Sequence, residues 1–412
     1  MNQGRESKRA AGMAFILLTI LIDVIGFGII IPVLPSLVEQ LTGRGPSEGA
    51  YAFGWLLASF GIMQFLFAPV LGNLSDRFGR RPILLLSLAF AGVDYVVQAL
   101  APNLLWLFIG RILAGITGAS FTAASAYIAD VSPPEKRAQN FGMIGATFGL
   151  GFILGPALGG VLAAYGPRVP FWAAAGLTFL NFLYGYFVLP ESLSLENRRE
   201  FDWRTANPFA ALGILGRHRW ILMLGLAASL LWIGQQAGMS TWVLYTSYRF
   251  GWDETDNGLS LALLGASMMF VQLWLIRFLG KRMKDAQMLS LAMVLNVAGL
   301  LAMGLAFQSW MLIAAMLLWT MAFIGGPTMQ GMVSTQYGPD EQGAINGAMS
   351  ALQNLTGVVG PILMTSIFGY FTSKAVPIKV PSMPFYVGTG LAAVSALAVR
   401  YALTHRPAPR AN

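Results

Sequence analysis

Residues 72–82 read GNLSDRFGRRP. The runs on either side, MQFLFAPVL (63–71) and ILLLSLAFA (83–91), are apolar. One aspartate and three arginines are therefore held between two glycines and a proline, where the surrounding chain is greasy. Glycine tolerates a tight turn and a close approach. The stretch reads as a short polar turn between two apolar helices, with Gly72 and Gly79 as its flexible points.

Working outward, the whole chain has the same alternation. Of its 412 residues 56% are hydrophobic and only 11% are charged, against about a quarter charged in soluble domains. The mean hydropathy is +0.63. A soluble fold cannot hide that much apolar surface, so the expected solvent is a bilayer. Twelve apolar segments reach spanning length: 13–35, 52–72, 82–101, 104–128, 140–164, 170–190, 219–246, 257–278, 287–307, 309–331, 343–370 and 384–404. Backbone groups in lipid must pair within their own segment, which makes each of them a helix. The first follows a short basic region and runs on into further spans, so it is expected to be a retained helix and not a cleaved signal peptide.

The basic residues are the topology signal. Of 26 Lys and Arg, twenty fall in the N-terminus, the even-numbered loops, the C-terminus or the span ends beside them. Arg44, Arg168, Arg249, Lys374 and Lys379 fall in the odd-numbered loops, and Arg111 lies within a span. The bias predicts that both termini are cytoplasmic. The pI of about 9.8 follows from these flanking charges and points to no nucleic-acid partner. With no cysteine, and with His218 and His405 in polar stretches, neither a thiolate site nor a metal site is expected.

The longest polar stretch, 191–218, splits the helices six and six. It predicts an N-terminal six-helix bundle (1–190), a cytoplasmic linker (191–218) and a C-terminal six-helix bundle (219–412). Within the linker, NPFAALGILG (207–216) is readable as a short interfacial helix. A shift of 205 residues lays Gly142 on Gly347, Ala146 on Ala351, Leu150 on Leu355, and Gly155-Pro156 on Gly360-Pro361. It also lays the opening stretch on RFLGKRMKDAQ (277–287). Parallel six-helix repeats characterise transporters whose site lies near the bilayer midplane.

Three charged residues fall deep inside spans, away from the span ends: Asp23, Asp94 and Arg111. Such residues are costly in lipid and mark function. Asp94 and Arg111 lie about equally far on either side of the turn near Pro102 and Asn103, so they are expected at similar depth and able to pair. A carboxylate whose surroundings rearrange can take up and release a proton, which assigns Asp23, Asp94 and Arg111 to proton coupling. In the helix 2–3 turn, Asp76 and Arg80 can pair with charges at neighbouring helix ends, and Asp130 is the natural partner. The simpler reading, in which the arginines only fix topology, leaves Asp76 unexplained. In helix 5, GLGFILGPALGG (149–160) has no preceding strand and the wrong spacing for a dinucleotide fingerprint. Gly149, Gly151, Gly155, Gly159 and Gly160 form a smooth face for close helix packing, and Pro156 can bend the helix.

The turn GNLSDRFGRRP closely resembles the loop signature of the major facilitator superfamily. LIDVIGFGIIIPVLP, LSDRFGRRPILLLSL, GRILAGITGA, TFGLGFILGPALGG and WVLYTSYRFGW look like the bacterial tetracycline–proton antiporters of that superfamily, over nearly the whole chain. The resemblance implies a twelve-helix all-α membrane protein. It implies a cytoplasmic gate of Gly72, Asp76, Arg77, Gly79, Arg80 and Asp130 that docks on the start of helix 11, after GPDEQG (338–343). It also implies an antiporter motif (Gly151, Gly155, Pro156, Gly159) packed on helix 8, and a drug site with Gln64 and Gln235. Where the family carries a helix 9 aspartate, this chain has Asn296, assigned with the two glutamines to the substrate site. That departure puts all acidic chemistry at depth in the N-terminal half.

The expected function is proton-coupled drug efflux in a bacterial inner membrane, with tetracycline-like substrates. The expected protein is a monomer in the lipid bilayer, with the proton gradient as its energy source. No cofactor is expected, and Mg²⁺ enters at most as a chelate with the substrate. A broad multidrug or metabolite exporter on the same scaffold is the alternative. A symporter is disfavoured by the helix 5 motif. A membrane enzyme is disfavoured because the chain has no HExxH, no GxSxG and no intramembrane histidine.

Overall fold

The computed structural model describes residues 2–43, 45–118, 121–133, 137–203, 207–209, 213, 215, 219–334 and 339–405. Twelve helices among the described residues are long and apolar enough to cross a membrane. They are α1 (Asn2–Ile30), α2 (Pro46–Phe78), α3 (Arg80–Leu100), α4 (Leu104–Gly118 and Phe121–Val131), α5 (Arg137–Ala163), α6 (Val169–Val188) and α7 (Arg219–Phe250). Then come α8 (Glu254–Gly280), α9 (Asp285–Leu305), α10 (Ser309–Val333), α11 (Pro339–Thr372) and α12 (Met383–Thr404). A nine-residue helix, Leu34–Thr42, lies between α1 and α2. The fold is that of an all-α multi-pass membrane protein.

The helices group into two compact units. The first comprises Met1–Thr42, Ser59–Pro208 and Glu254–Gly265, and the second comprises Gly43–Ala58, Phe209–Asp253 and Ala266–Asn412. Within the first, α1 packs on α5 and α6, and α3 on α4 and α6. Within the second, α7 packs on α11 and α12, and α9 on α10 and α12. The same pairs recur six helices on.

The repeat is also in register. α3 spans 80–100 and α9 spans 285–305, while α4 begins at 104 and α10 at 309. Every one of these limits differs by 205, the spacing read from the Gly-Pro pairs. Pro156 and Pro361 both sit inside continuous helices, where a bend is tolerated because neighbouring helices resatisfy the freed backbone.

The opening stretch is helical where a loop was expected. α2 continues through GNLSDRF to Phe78, and α3 starts at Arg80. Gly79 alone makes the turn, at φ +104°, which a side chain would strain. The polar residues keep the helix wound past the apolar run by bonding along it. Ser75 Oγ donates to the Gly72 carbonyl at 2.7 Å, and Arg80 reaches back to Asp76 at 2.5 Å. At Gly72 itself no close approach is found among the described residues, since a methyl group there would meet no atom within 4 Å. Most of 207–216 and the side chains of 338–343 lie outside the described residues, as does His218.

Candidate functional site

α3 carries the centre of the site. Asp94 and Gln98 are one helical turn apart and so share a face. Asp94 is 1% exposed and Gln98 fully buried, and Gln98 Nε2 donates to Asp94 Oδ2 at 2.9 Å. The other carboxylate oxygen, Oδ1, and the Gln98 Oε1 have no hydrogen-bond partner. Asp23 comes from α1, Gln64 from α2, Tyr95 from α3 and Arg111 from α4. All four line one cavity of about 330 Å³ together with Asp94, and the rest of its wall is largely apolar, with the rings of Phe27, Phe60, Phe121, Phe148 and Phe152.

Arg111 is 2% exposed. The expected direct pair with Asp94 does not form, because no ion pair joins the two within 4 Å among the described residues. The guanidinium instead stands over the Phe60 ring at 4.5 Å. An aromatic face provides some of the negative potential that a desolvated cation needs. The acid and the cation therefore face one cavity without neutralising each other through contact.

A second cluster forms at the α2–α3 turn. Arg80 Nη1 bonds Asp76 at 2.5 Å and Ser75 Oγ at 2.6 Å, while its Nε reaches Asp130 at the end of α4 at 3.3 Å. Ser192 Oγ donates to the same Asp130 oxygen at 3.0 Å. Glu191, just after α6, accepts from the backbone N–H groups of Arg80 at 2.9 Å and Arg81 at 3.2 Å. These are the unpaired donors at the start of α3, where a carboxylate is electrostatically favoured. Arg199 N–H donates to the Asp76 carbonyl at 3.1 Å, so the segment after α6 lies along this turn. Arg77 is exposed and rests on the Phe78 ring at 5.1 Å.

A family model for the Major Facilitator Superfamily matches residues 16–361 and again 245–412. The chain belongs to the Major Facilitator Superfamily. It is 40% identical over 359 residues to the class C tetracycline resistance protein of Escherichia coli, which covers 86% of this chain and 88% of that one. It is 36% identical to the class D tetracycline resistance protein of Salmonella ordonez, over 86% and 89%. Against Multidrug resistance protein 2 of Bacillus subtilis it is 25% identical, over 86% and 88%. Among solved structures, the human organic anion transporter MFSD10 superposes with a TM-score of 0.70 at 24% identity, over 95% of this chain and 99% of that one. The nucleoside transporter NupG gives 0.76 at 14%, over 95% and 98%. These two likenesses concern the fold.

In this superfamily member the helix 5 motif divides its contacts. Gly151 packs on Val24, Gly155 on Ile25 and Gly28, and Gly159 on Ile29. The i, i+4 spacing puts all three on one line facing α1, where a methyl group at Gly155 would lie 2.7 Å from the Gly28 Cα. The expected contact with α8 is made one step round the helix. A methyl group at Gly160 would lie 2.6 Å from the Glu254 carbonyl oxygen and 3.1 Å from the Gly258 Cα.

Two residues assigned to the substrate site, Gln235 and Asn296, are not among those that line this cavity. Gln235 is half-buried on α7. Asn296 is 1% exposed within α9, and its Oδ1 has no hydrogen-bond partner. A second cavity, of about 270 Å³, lies within the second unit among Trp232, Gln330, Met349 and Gln353 and bears no charged residue. Sequence reasoning missed Gln98 and Glu191. The first had a signal, its position four residues after a buried acid. The second had none, because 110 residues separate it from the backbone it caps.

Proposed function

We propose that this protein is a proton-coupled antiporter that expels tetracycline-like drugs across a bacterial inner membrane, with both termini cytoplasmic. The observation that carries the reading is the single cavity shared by Asp23, Asp94 and Arg111, since ionisable residues at membrane depth are retained for transport chemistry. The likeness to the tetracycline resistance proteins supports the substrate class. Asp23 and Asp94 exchange the proton, while Arg111 holds a fixed positive charge beside them. Gln64 orients the drug against the phenyl rings. Protonation from outside releases the drug, and deprotonation inside lets the next one bind. Inward movement of net charge draws about 2.3 kcal/mol per charge per 100 mV from the membrane potential. The Asp76–Arg80–Asp130 cluster closes the cytoplasmic end. The protein works as a monomer without a cofactor, and Mg²⁺ enters only as a drug chelate.

The test is transport in proteoliposomes. With protein oriented so that its cytoplasmic face is outside, vesicles with an acidic lumen should accumulate the Mg²⁺ chelate of tetracycline and lose protons in proportion. Absence of gradient-dependent accumulation rejects the reading. The phenyl-lined wall and the likeness to Multidrug resistance protein 2 favour one alternative, a broader exporter. Comparable accumulation of chemically unrelated drugs selects it.

A further inference from the structure

Asp94 and Gln98 form half of a familiar pair. A carboxylic acid and a primary amide can join through two hydrogen bonds, amide N–H to one acid oxygen and acid O–H to the amide oxygen. Here the first bond is present, Gln98 Nε2 to Asp94 Oδ2 at 2.9 Å. The atoms that would make the second, Asp94 Oδ1 and Gln98 Oε1, are both buried and both unpartnered. An ionised carboxylate only accepts, and an amide oxygen only accepts. Two unpartnered acceptors in a buried site lack one proton between them.

Resting on the reading of Asp94 as a proton carrier, we propose that Gln98 is the positioning residue for the coupling proton: a proton taken up at Asp94 Oδ1 donates to Gln98 Oε1 and closes an acid–amide pair. The step forms one O–H bond at Oδ1, with the proton delivered by water in the cavity, and breaks none in the protein. Release reverses it and restores the single bond from Nε2. The pair gives the protonated acid a full set of partners at a site where an unmade hydrogen bond is costly. Gly110 of α4 holds the two side chains against each other. A methyl group there would lie 2.9 Å from Asp94 Oδ1 and 3.1 Å from the Gln98 Cδ, so only glycine leaves the pair its room.

The other charged and titratable groups of this neighbourhood are Asp23 from α1, Arg111 from α4 and Tyr95 from α3 itself. α6 contributes no charged side chain, and its Tyr184 and Tyr186 lie at the level of Phe15 and Arg81. At the far end of α4, Tyr127 bonds the Pro190 carbonyl and Asp130 bonds Arg80. None of these hydrogen-bonds Asp94 Oδ1.

Infrared difference spectra between high and low pH on the reconstituted full chain test the pair. In the unmodified protein, the carboxyl band that Asp94→Asn removes should sit at the frequency of a hydrogen-bonded acid; the frequency of a free acid excludes the pair. Gln98→Met should move that band to higher wavenumber, and Gly110→Ala should move it the same way by wedging the pair apart. A band that stays in place in both variants overturns the role of Gln98 and leaves Asp94 as the proton carrier. If Asp94→Asn removes no pH-dependent band, the assignment of the proton to Asp94 fails, and the pair fails with it.

Discussion

Two stretches of this chain have the same backbone and opposite chemistry. α3 with the start of α4, and α9 with the start of α10, begin and end 205 residues apart. At the matching positions Asp94 becomes Gly299, Gln98 becomes Met303 and Arg111 becomes Met316, while Asp23 on α1 becomes Ala228 on α7. The copies without charge are close-packed. Met303 and Met316 are fully buried, and a methyl group on Gly299 would lie 2.5 Å from the Trp319 Cα. Cavity-lining positions match as well, Phe27 with Trp232 and Phe148 with Gln353. The helical frame therefore does not require the ionisable set. A duplicated scaffold stands without it in one half, which is the contrast the proposed proton chemistry of the other half predicts.

The comparison breaks most sharply at the acids. Asp23→Asn keeps the shape of the side chain and removes the exchangeable proton. Gradient-driven transport should be lost while the protein still folds and inserts. Proton-coupled transport at the wild-type rate in that variant would show that Asp23 is as dispensable as its counterpart Ala228.

Arg111→Met writes the second repeat into the first. A buried charge with no contact partner carries a desolvation cost that no ion pair repays, and an apolar side chain of similar length removes that cost. Thermal unfolding in detergent should therefore stay level or rise while transport is lost. A fall in stability of more than about 3 kcal/mol, the scale of breaking a buried pair, would instead make Arg111 a structural partner of Asp94. The 4.5 Å stacking on Phe60 and the absence of a contact ion pair among the described residues argue against that outcome.

What was legible in the sequence divides along the same line as the chemistry. The twelve helices, the 205-residue register and the three intramembrane charges are properties of hydropathy and spacing, so they are written locally. Asp76, Arg80 and Asp130 were readable as partners because helix ends bring opposite charges together. The winding of α2 through GNLSDRF was not readable, because glycine and aspartate suggest a turn while the bonds that hold the helix depend on Arg80 folding back. Glu191 was hidden for a similar reason: a cap supplied from 110 residues away leaves no local pattern. The contact between Arg111 and Phe60 also needed coordinates, since similar depth in two helices does not decide which side chain a cation meets.

The helix starts offer a milder contrast. α9 is capped from within, where Gln287 Oε1 accepts from the Lys284 N–H at 3.0 Å. α3 is capped from outside by Glu191. Both losses should be of capping size, about 1 kcal/mol, for Glu191→Ala and Gln287→Ala in thermal unfolding. Only Glu191→Ala should also free the segment after α6, which limited proteolysis between residues 191 and 203 would report as faster cleavage. Equal cleavage in both variants would mean that Glu191 caps α3 without tethering that segment.

The smallest effect tests where the two halves agree. Arg77 and Arg282 are again 205 residues apart, both exposed, and each lies over a neighbouring phenyl ring, Phe78 at 5.1 Å and Phe278 at 3.8 Å. Exposed contacts of this kind contribute about 0.5–1 kcal/mol, and neither guanidinium bonds a carboxylate among the described residues. Arg77→Ala and Arg282→Ala should therefore lower thermal stability by less than about 1 kcal/mol, with Arg282 the larger because its ring is closer. Both should leave transport near the wild-type rate, whereas Arg80→Ala, which strips Asp76 and Asp130 of their shared partner, should not. If Arg77→Ala alone stops transport at unchanged stability, Arg77 acts in the gate through something other than its ring, and the likeness between the two turns ends at the backbone.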